Sequence, residues 1–240
     1  MSLIEGRAVC RYFGGVNALA NVNFAIEKGS IVGLIGPNGA GKTTLFNVMA
    51  GTIKPTTGRI LFHGEDVTDQ PAYRICRKGI ARTFQIPRPF GTMTCLENVV
   101  VGIINNLNGP YVKSDVEDKA RIALKFVGLG DLIATEARNL NVVQKKKLEI
   151  ARALATGPEI LLLDEVLGGL NTQEIGEAIE FIRLLRDKQN ITIFWIEHIM
   201  GAIMQAAERV IVLDQGTVLM EGTPREVVSD QRVIRAYLGE

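Results

Sequence analysis

The chain has 240 residues, of which 47% are hydrophobic, enough apolar surface for a substantial core in one domain or two. A formal net charge of +1 excludes a strongly basic, polyanion-binding protein as a whole and leaves only a local basic patch open. Cys10, Cys76 and Cys95 have neither zinc-site spacing nor an even count, and read as isolated reduced thiols of a cytosolic protein.

In chain order, Met1 to Arg7 lacks the basic and apolar regions of a signal peptide. Residues 1–30 predict short strands and turns, with partly alternating apolar positions from Ala18 to Ile26. Ile31-Val32-Gly33-Leu34-Ile35 reads as a buried strand, and Leu45 to Ala50 as the continuation of a helix. Residues 58–70 predict a second strand-rich piece, Gly58 to Phe62, with a turn near His63-Gly64-Glu65-Asp66 before Val67. Residues 91–155 differ in texture: Val116, Ala120, Leu124 and Val127 line a helical face, Asn105 to Tyr111 is a polar loop, and a further helix runs from near Val143 to Ala155. This stretch reads as a mostly helical insertion. Ile160 to Leu163 is a buried strand ending at Asp164-Glu165, Ile175, Ile179, Ile182 and Leu185 mark a helix, and Ile191 to Ile196 and Val210 to Leu213 are two more strands. Strands alternating with helices predict an α/β protein with a largely parallel, layered sheet, closed by a helical stretch from Pro224 to Leu238. No run of about 18 apolar residues is present, so no membrane span is predicted, while docking onto a membrane protein stays open.

The chemistry concentrates after the strands. Gly36-Pro37-Asn38-Gly39-Ala40-Gly41-Lys42-Thr43-Thr44 fits GxxxxGK[ST] between a strand and a helix, the context that this phosphate-cradling loop requires. Its glycines let the backbone curl around phosphates, so that loop amides and the helix N-terminus point at the anion. Lys42 is the expected contact to the terminal phosphates, Thr43 the magnesium ligand and Thr44 a weaker neighbour. Asp164, just past an apolar strand, is placed to bind magnesium directly or through water, and Glu165 to polarise an attacking water. Adjacent carboxylates repel unless lysine or magnesium compensates. His198, after another apolar strand, is a candidate γ-phosphate contact that orients Glu165 and water, although a lone strand-end histidine is more often structural. Gln85, beyond Ala81 to Phe84, is a candidate sensor of magnesium and the γ-phosphate, set against an ordinary exposed loop glutamine. Phe13 is a candidate platform for a base, with Tyr12 as its local rival and a core phenylalanine as the alternative. His63 reads as a turn residue.

Together these residues resemble the ATP-binding subunits of ABC transporters over nearly the full chain. Gly36 to Thr44 looks like their Walker A motif, Ile160 to Glu165 like Walker B with its catalytic glutamate, Gln85 like the Q-loop, His198 like the switch histidine and Phe13 like the aromatic A-loop position. The finer resemblance is to the first ATPase subunit of branched-chain amino-acid importers, carried by Phe13-Gly14-Gly15, Gly79 to Gln85, Leu148 to Leu154, Ile196-Glu197-His198 and the ending Ala236-Tyr237-Leu238-Gly239-Glu240. The resemblance implies a P-loop NTPase of the ABC ATPase type, with an antiparallel β layer. Residues 1–90 and 156–240 would form the nucleotide-binding core, and 91–155 an inserted helical subdomain. It implies ATP and Mg2+ as ligands, with Thr43, Gln85 and Asp164 about the metal. It also implies a peripheral position at the cytoplasmic face of a membrane, a second ATPase subunit, two permease subunits and a periplasmic or extracellular solute-binding protein. No nucleic acid is expected. The alternatives are a regulatory nucleotide-binding subunit with little hydrolysis, and a non-transport ABC ATPase.

One motif departs. The family signature, LSGGQ or a variant such as LAYGQ, corresponds to Leu140-Asn141-Val142-Val143-Gln144. Asparagine caps a helix about as well as serine. Val143 replaces the glycine at which the backbone approaches γ-phosphate in the family, and its β-branched side chain is expected to add bulk there. Lys145, Lys146 and Lys147 either attract phosphate or face solvent. In the family, ATP lies between the Walker motifs of one subunit and the signature of its partner, so Asn141, Val143 and Gln144 would serve the partner's nucleotide. The expectation is a heterodimer with one good site, built from Lys42, Asp164, Glu165 and His198. Val166 and Ile199 replace a proline and an aspartate common in this subgroup, while Gly168-Gly169-Leu170-Asn171 still matches the D-loop.

Overall fold

The computed structural model describes residues 2–107 and 109–238. Met1, Asn108, Gly239 and Glu240 lie outside them. The N-terminal layer is one antiparallel sheet, ordered β2-β1-β4-β5, built from β1 (Ser2–Phe13), β2 (Val16–Glu27) and, after β3 (Ile31–Ile35) and α1 (Lys42–Met49), β4 (Thr57–Phe62) and β5 (Glu65–Asp66). The expected short strands at residues 1–30 are instead two twelve-residue strands. Their register shifts repeatedly, and Ala8 and Asn21 have φ of 48° and 54°, so the period-2 alternation that marks a strand in sequence is interrupted. The turn after β4 is only His63-Gly64, with φ of 51° and 77°; Glu65 and Asp66 pair as a strand rather than belonging to the turn.

The chain continues through α2 (Ala72–Lys78), β6 (Ile80–Arg82), α3 (Cys95–Asn105), α4 (Lys113–Phe126) and α5 (Val142–Leu154). It then passes through β7 (Ile160–Asp164), α6 (Thr172–Gln189), β8 (Thr192–Ile196), α7 (Met200–Ala206), β9 (Arg209–Asp214), β10 (Thr217–Gly222), α8 (Pro224–Ser229) and α9 (Gln231–Leu238). The second sheet has the order β10-β9-β3-β8-β7-β6; its pairs are parallel except β10 with β9.

The apolar runs of the central strands make sense as strands covered on both faces. Phe194 and Ile196 of β8 join Phe24, Phe46 and Leu162 between the two sheets, while Ile193 and Trp195 join Leu161, Leu163 and Ile182 on the opposite face, under α6 and α7. The Phe194 ring lies 5.1 Å from Phe46 and 6.1 Å from Phe24, centroid to centroid. The helices α3, α4 and α5 enclose a separate apolar cluster that contains the expected Val116, Ala120, Leu124 and Val127 together with Val99 and Leu148. Capping boxes start α3 at Thr94, α5 at Asn141, α6 at Asn171 and α8 at Thr223.

Candidate nucleotide site

In a parallel sheet the strand carboxyl ends emerge on one edge, and ligands bind in the crevice there. Here β3, β7 and β8 deliver the phosphate loop, Asp164-Glu165 and Glu197-His198 to that edge, with Leu34 and Asp164 both registered against Ile196.

The loop's shape depends on two glycines. Gly36 has φ 149°, and a Cβ there would stand 2.0 Å from the Leu213 carbonyl oxygen; Gly41 has φ 102°, and its Cβ would meet the Ala18 oxygen at 2.4 Å. Gly41 is also the N-cap of α1, so the first free amides of that helix face the loop. The side chain of Lys42 is buried, and its Nζ donates to the carbonyls of Gly36 (2.7 Å) and Pro37 (3.0 Å). Burial pulls the Lys42 ammonium below its usual range, against the stabilising charges of Glu165 and Asp164. Asn38, Gly39 and Thr43 are exposed along the loop and helix start, Thr44 is half-buried and Ala40 is buried.

Asp164 is 1% exposed. Its Oδ2 accepts from Arg82 Nη2 at 2.8 Å, Arg82 Nη1 donates to Asn47 of α1 at 2.5 Å, and the Asp164 amide donates to Thr83 Oγ1 at 3.2 Å. Burial pushes the carboxyl above its usual range, while Arg82 pulls it back. Its other oxygen, Oδ1, is buried with no hydrogen-bond partner among the described residues. A buried carboxylate oxygen left without a donor fits a cation ligand. Among the described residues no cluster of three His, Cys, Asp or Glu could hold a metal alone. One buried carboxylate suits magnesium, which takes its remaining ligands from phosphate and water.

Glu165 has φ 50°, an uncommon conformation for a non-glycine residue that costs of order 1–3 kcal/mol. Its amide donates to the Ile196 carbonyl at 3.0 Å, and both carboxylate oxygens are engaged. Gln85 Nε2 donates to Oε2 at 2.5 Å, and His198 Nε2 lies 2.6 Å from Oε1. Gln85, Glu165 and His198, dispersed in sequence, therefore form one continuous hydrogen-bonded set beside Asp164 and Lys42.

Two further residues hold this loop. The buried Glu197 accepts from the Leu167 amide (2.8 Å) and from its neighbour His198 (3.3 Å). Burial raises its pKa above the usual carboxylate range. Lys146 donates to the carbonyls of Glu165 (3.3 Å), Val166 (3.2 Å) and Gly168 (2.6 Å), so it neither faces solvent nor waits for a phosphate. A lysine on a polar helix start carries no sequence signal for such a tertiary contact.

The remaining expected residues stand apart. Asn141 caps α5: its Oδ1 accepts the Gln144 amide at 2.8 Å, and Gln144 Oε1 accepts the Asn141 amide at 3.0 Å. Among the described residues no hydrogen bond or ion pair joins Asn141–Gln144 to the phosphate loop of the same chain. The half-buried Val143 lines a cavity of about 330 Å³ with Phe126, Ile150, Val166, Phe181 and Ile182; the outward valine is Val142, 64% exposed. Phe13 is 46% exposed, with the Arg11 guanidinium 4.5 Å from its ring centroid, and Tyr12 is also exposed; Phe13 is not a core residue.

Comparison with known proteins agrees with this geometry. Residues 19–168 match the family described as "ABC transporter", and residues 217–240 the family described as "Branched-chain amino acid ATP-binding cassette transporter". The chain is 42% identical to the high-affinity branched-chain amino acid transport ATP-binding protein LivG of Escherichia coli (strain K12), covering 99% of this chain and 98% of that protein. It is 37% identical to the corresponding protein BraF of Pseudomonas aeruginosa, over 99% and 98% of the two chains. A nucleotide-free ATP-binding cassette from an ABC transporter superposes with a TM-score of 0.90 at 32% identity, covering 100% of both chains, and the ADP conformation of such a cassette superposes at 0.89 with the same identity and coverage. With the phosphate loop, the strand-end acids and the full-length match in agreement, the chain belongs to the ABC transporter family as an ATP-binding cassette, an ATPase coupled to transport.

Proposed function

We propose that this chain is the ATP-hydrolysing subunit of an importer for branched-chain amino acids or related small polar solutes. The observation that carries the reading is the double hold on Glu165: Gln85 fixes one carboxylate oxygen and His198 the other, beside the buried Asp164. A carboxylate aimed in this way orients an attacking water and accepts its proton, while Lys42 and the loop amides hold the terminal phosphates. Thr43, Asp164 and Gln85 would hold Mg2+, which neutralises phosphate charge when bound. Phe13 offers its open face to adenine. The names of the relatives support the solute class.

The chain is divided as a nucleotide core of residues 1–90 and 156–240 and a helical subdomain of residues 91–155. It works at the cytoplasmic face of the membrane with two permease subunits and a solute-binding protein. No helix among the described residues is long and apolar enough to cross a membrane, which suits peripheral attachment. The permease contact lies beside Gln85, where Ile86 (71% exposed) and Phe90 stand outward next to a cavity of about 310 Å³ lined by Phe84, Arg88, Val101, Glu149 and Arg152. Its partner is a second ATPase with an unaltered signature, which completes the site of Lys42, Asp164, Glu165 and His198; Asn141, Val143 and Gln144 meet the partner's nucleotide.

The test is reconstitution with such a partner and permeases in vesicles, assayed against a panel of small solutes. The expected result is ATP-driven uptake of branched-chain amino acids. Glu165→Gln should lower turnover by about 10² or more with nucleotide binding retained. Assembly and nucleotide binding without turnover in the unsubstituted complex would favour a regulatory subunit instead.

A further inference from the structure

The phosphate loop is held from outside by the C-terminal part of the chain. The Leu213 carbonyl closes on Gly36 so tightly that no side chain fits there. The turn between β9 and β10 contains Gln215 and Gly216 at φ 45° and 79°. From it, the Gly216 amide donates to the Ala40 carbonyl at 3.1 Å, and the Gly216 carbonyl accepts from Ala20 at 2.8 Å. The third contact comes from α9. The Gly36 amide donates to Tyr237 Oη at 2.8 Å, bridging 201 positions of sequence.

Gly36 thus joins two side chains through one residue. Its N–H is satisfied by Tyr237 and its C=O by Lys42 Nζ at 2.7 Å. Gly36 sits at the end of β3, where the strand ladder stops, so its amide relies on this hydroxyl. A backbone donor that loses its partner costs more than an average hydrogen bond contributes. Without the hydroxyl, the peptide that carries the Gly36 N–H loses its anchor, and a change in the Gly36 φ passes through its Cα to the next peptide, whose carbonyl holds Lys42.

We propose that Tyr237 is a positioning residue of the ATPase: by accepting the Gly36 amide it fixes the phosphate loop and the Lys42 ammonium for nucleotide. The C-terminal helix is in this respect a working part of the nucleotide site. Tyr237 does not touch the reacting atoms and acts only through Gly36.

The experiment compares the full-length chain with Tyr237→Phe, which keeps the ring and removes only the hydroxyl, and with 3-fluorotyrosine at 237, which keeps the hydroxyl and weakens it as an acceptor. Tyr237→Phe should raise KM for magnesium-ATP about fivefold, the loss of about one hydrogen bond, and leave kcat within about twofold. Amide exchange at Gly36 should accelerate while Ile31–Leu34 stay protected. The fluorinated chain should fall between. Unchanged Gly36 exchange and unchanged KM in Tyr237→Phe would overturn the proposal. Equal acceleration of exchange at Gly36 and along β3 would overturn it too, because it would mark a general loss of packing rather than a local loss of position.

Discussion

The phosphate loop and the start of α5 are held in opposite ways. The loop is over-determined: Gly36 and Gly41 are enclosed by carbonyls of distant strands, and Lys42 is buried against its own backbone. The start of α5 is held by its own four residues, through the capping box of Asn141 and Gln144, with Val142 outward. The difference teaches where substitution is tolerated. A glycine whose Cβ would run into a backbone carbonyl admits no side chain, whereas a helix start that satisfies its own amides keeps its shape when asparagine and valine enter it.

Lys42→Ala provides the sharpest way to break the contrast. It removes the ammonium proposed to hold the terminal phosphates and should lower turnover by at least about 10², measured as steady-state phosphate release. At the other end, Val143→Gly in the assembly with an unaltered partner should raise turnover at the partner's Walker residues by up to about tenfold, ~1.4 kcal/mol, and leave the site of Lys42 and Glu165 unchanged. Site-resolved nucleotide occupancy distinguishes the two. No gain would mean that a valine directed into the cavity leaves the nucleotide face free. The smallest effect belongs to Asn141→Ala, which removes one cap and should cost about 1 kcal/mol of stability by denaturant unfolding, with turnover at the chain's own Walker residues unaltered.

The two regions also differ in how far the sequence discloses them. The loop, Asp164-Glu165 and the covered strands are local patterns: a fixed spacing and an unbroken apolar run are visible without a fold. The antiparallel layer was legible only in pieces, because Ala8 and Asn21 break the alternation of β1 and β2. The edge strand β10 gave no signal, since its residues are half-buried at best, and α2 buries only Ile75. Gln85 and His198 could be placed at strand ends, but their meeting on one carboxylate requires the sheet. The role of Lys146 was invisible for a physical reason: its partners are main-chain oxygens, which every sequence possesses.

That single ammonium has a mechanical corollary. It sits one turn into α5 yet grips three carbonyls of the segment that follows β7, beginning at Glu165 itself. Any swing of the helical layer about the sheet must therefore either drag Glu165 along or surrender those bonds. Within one polypeptide, the start of the helical layer and the segment that carries Glu165 are fastened by the same rivet.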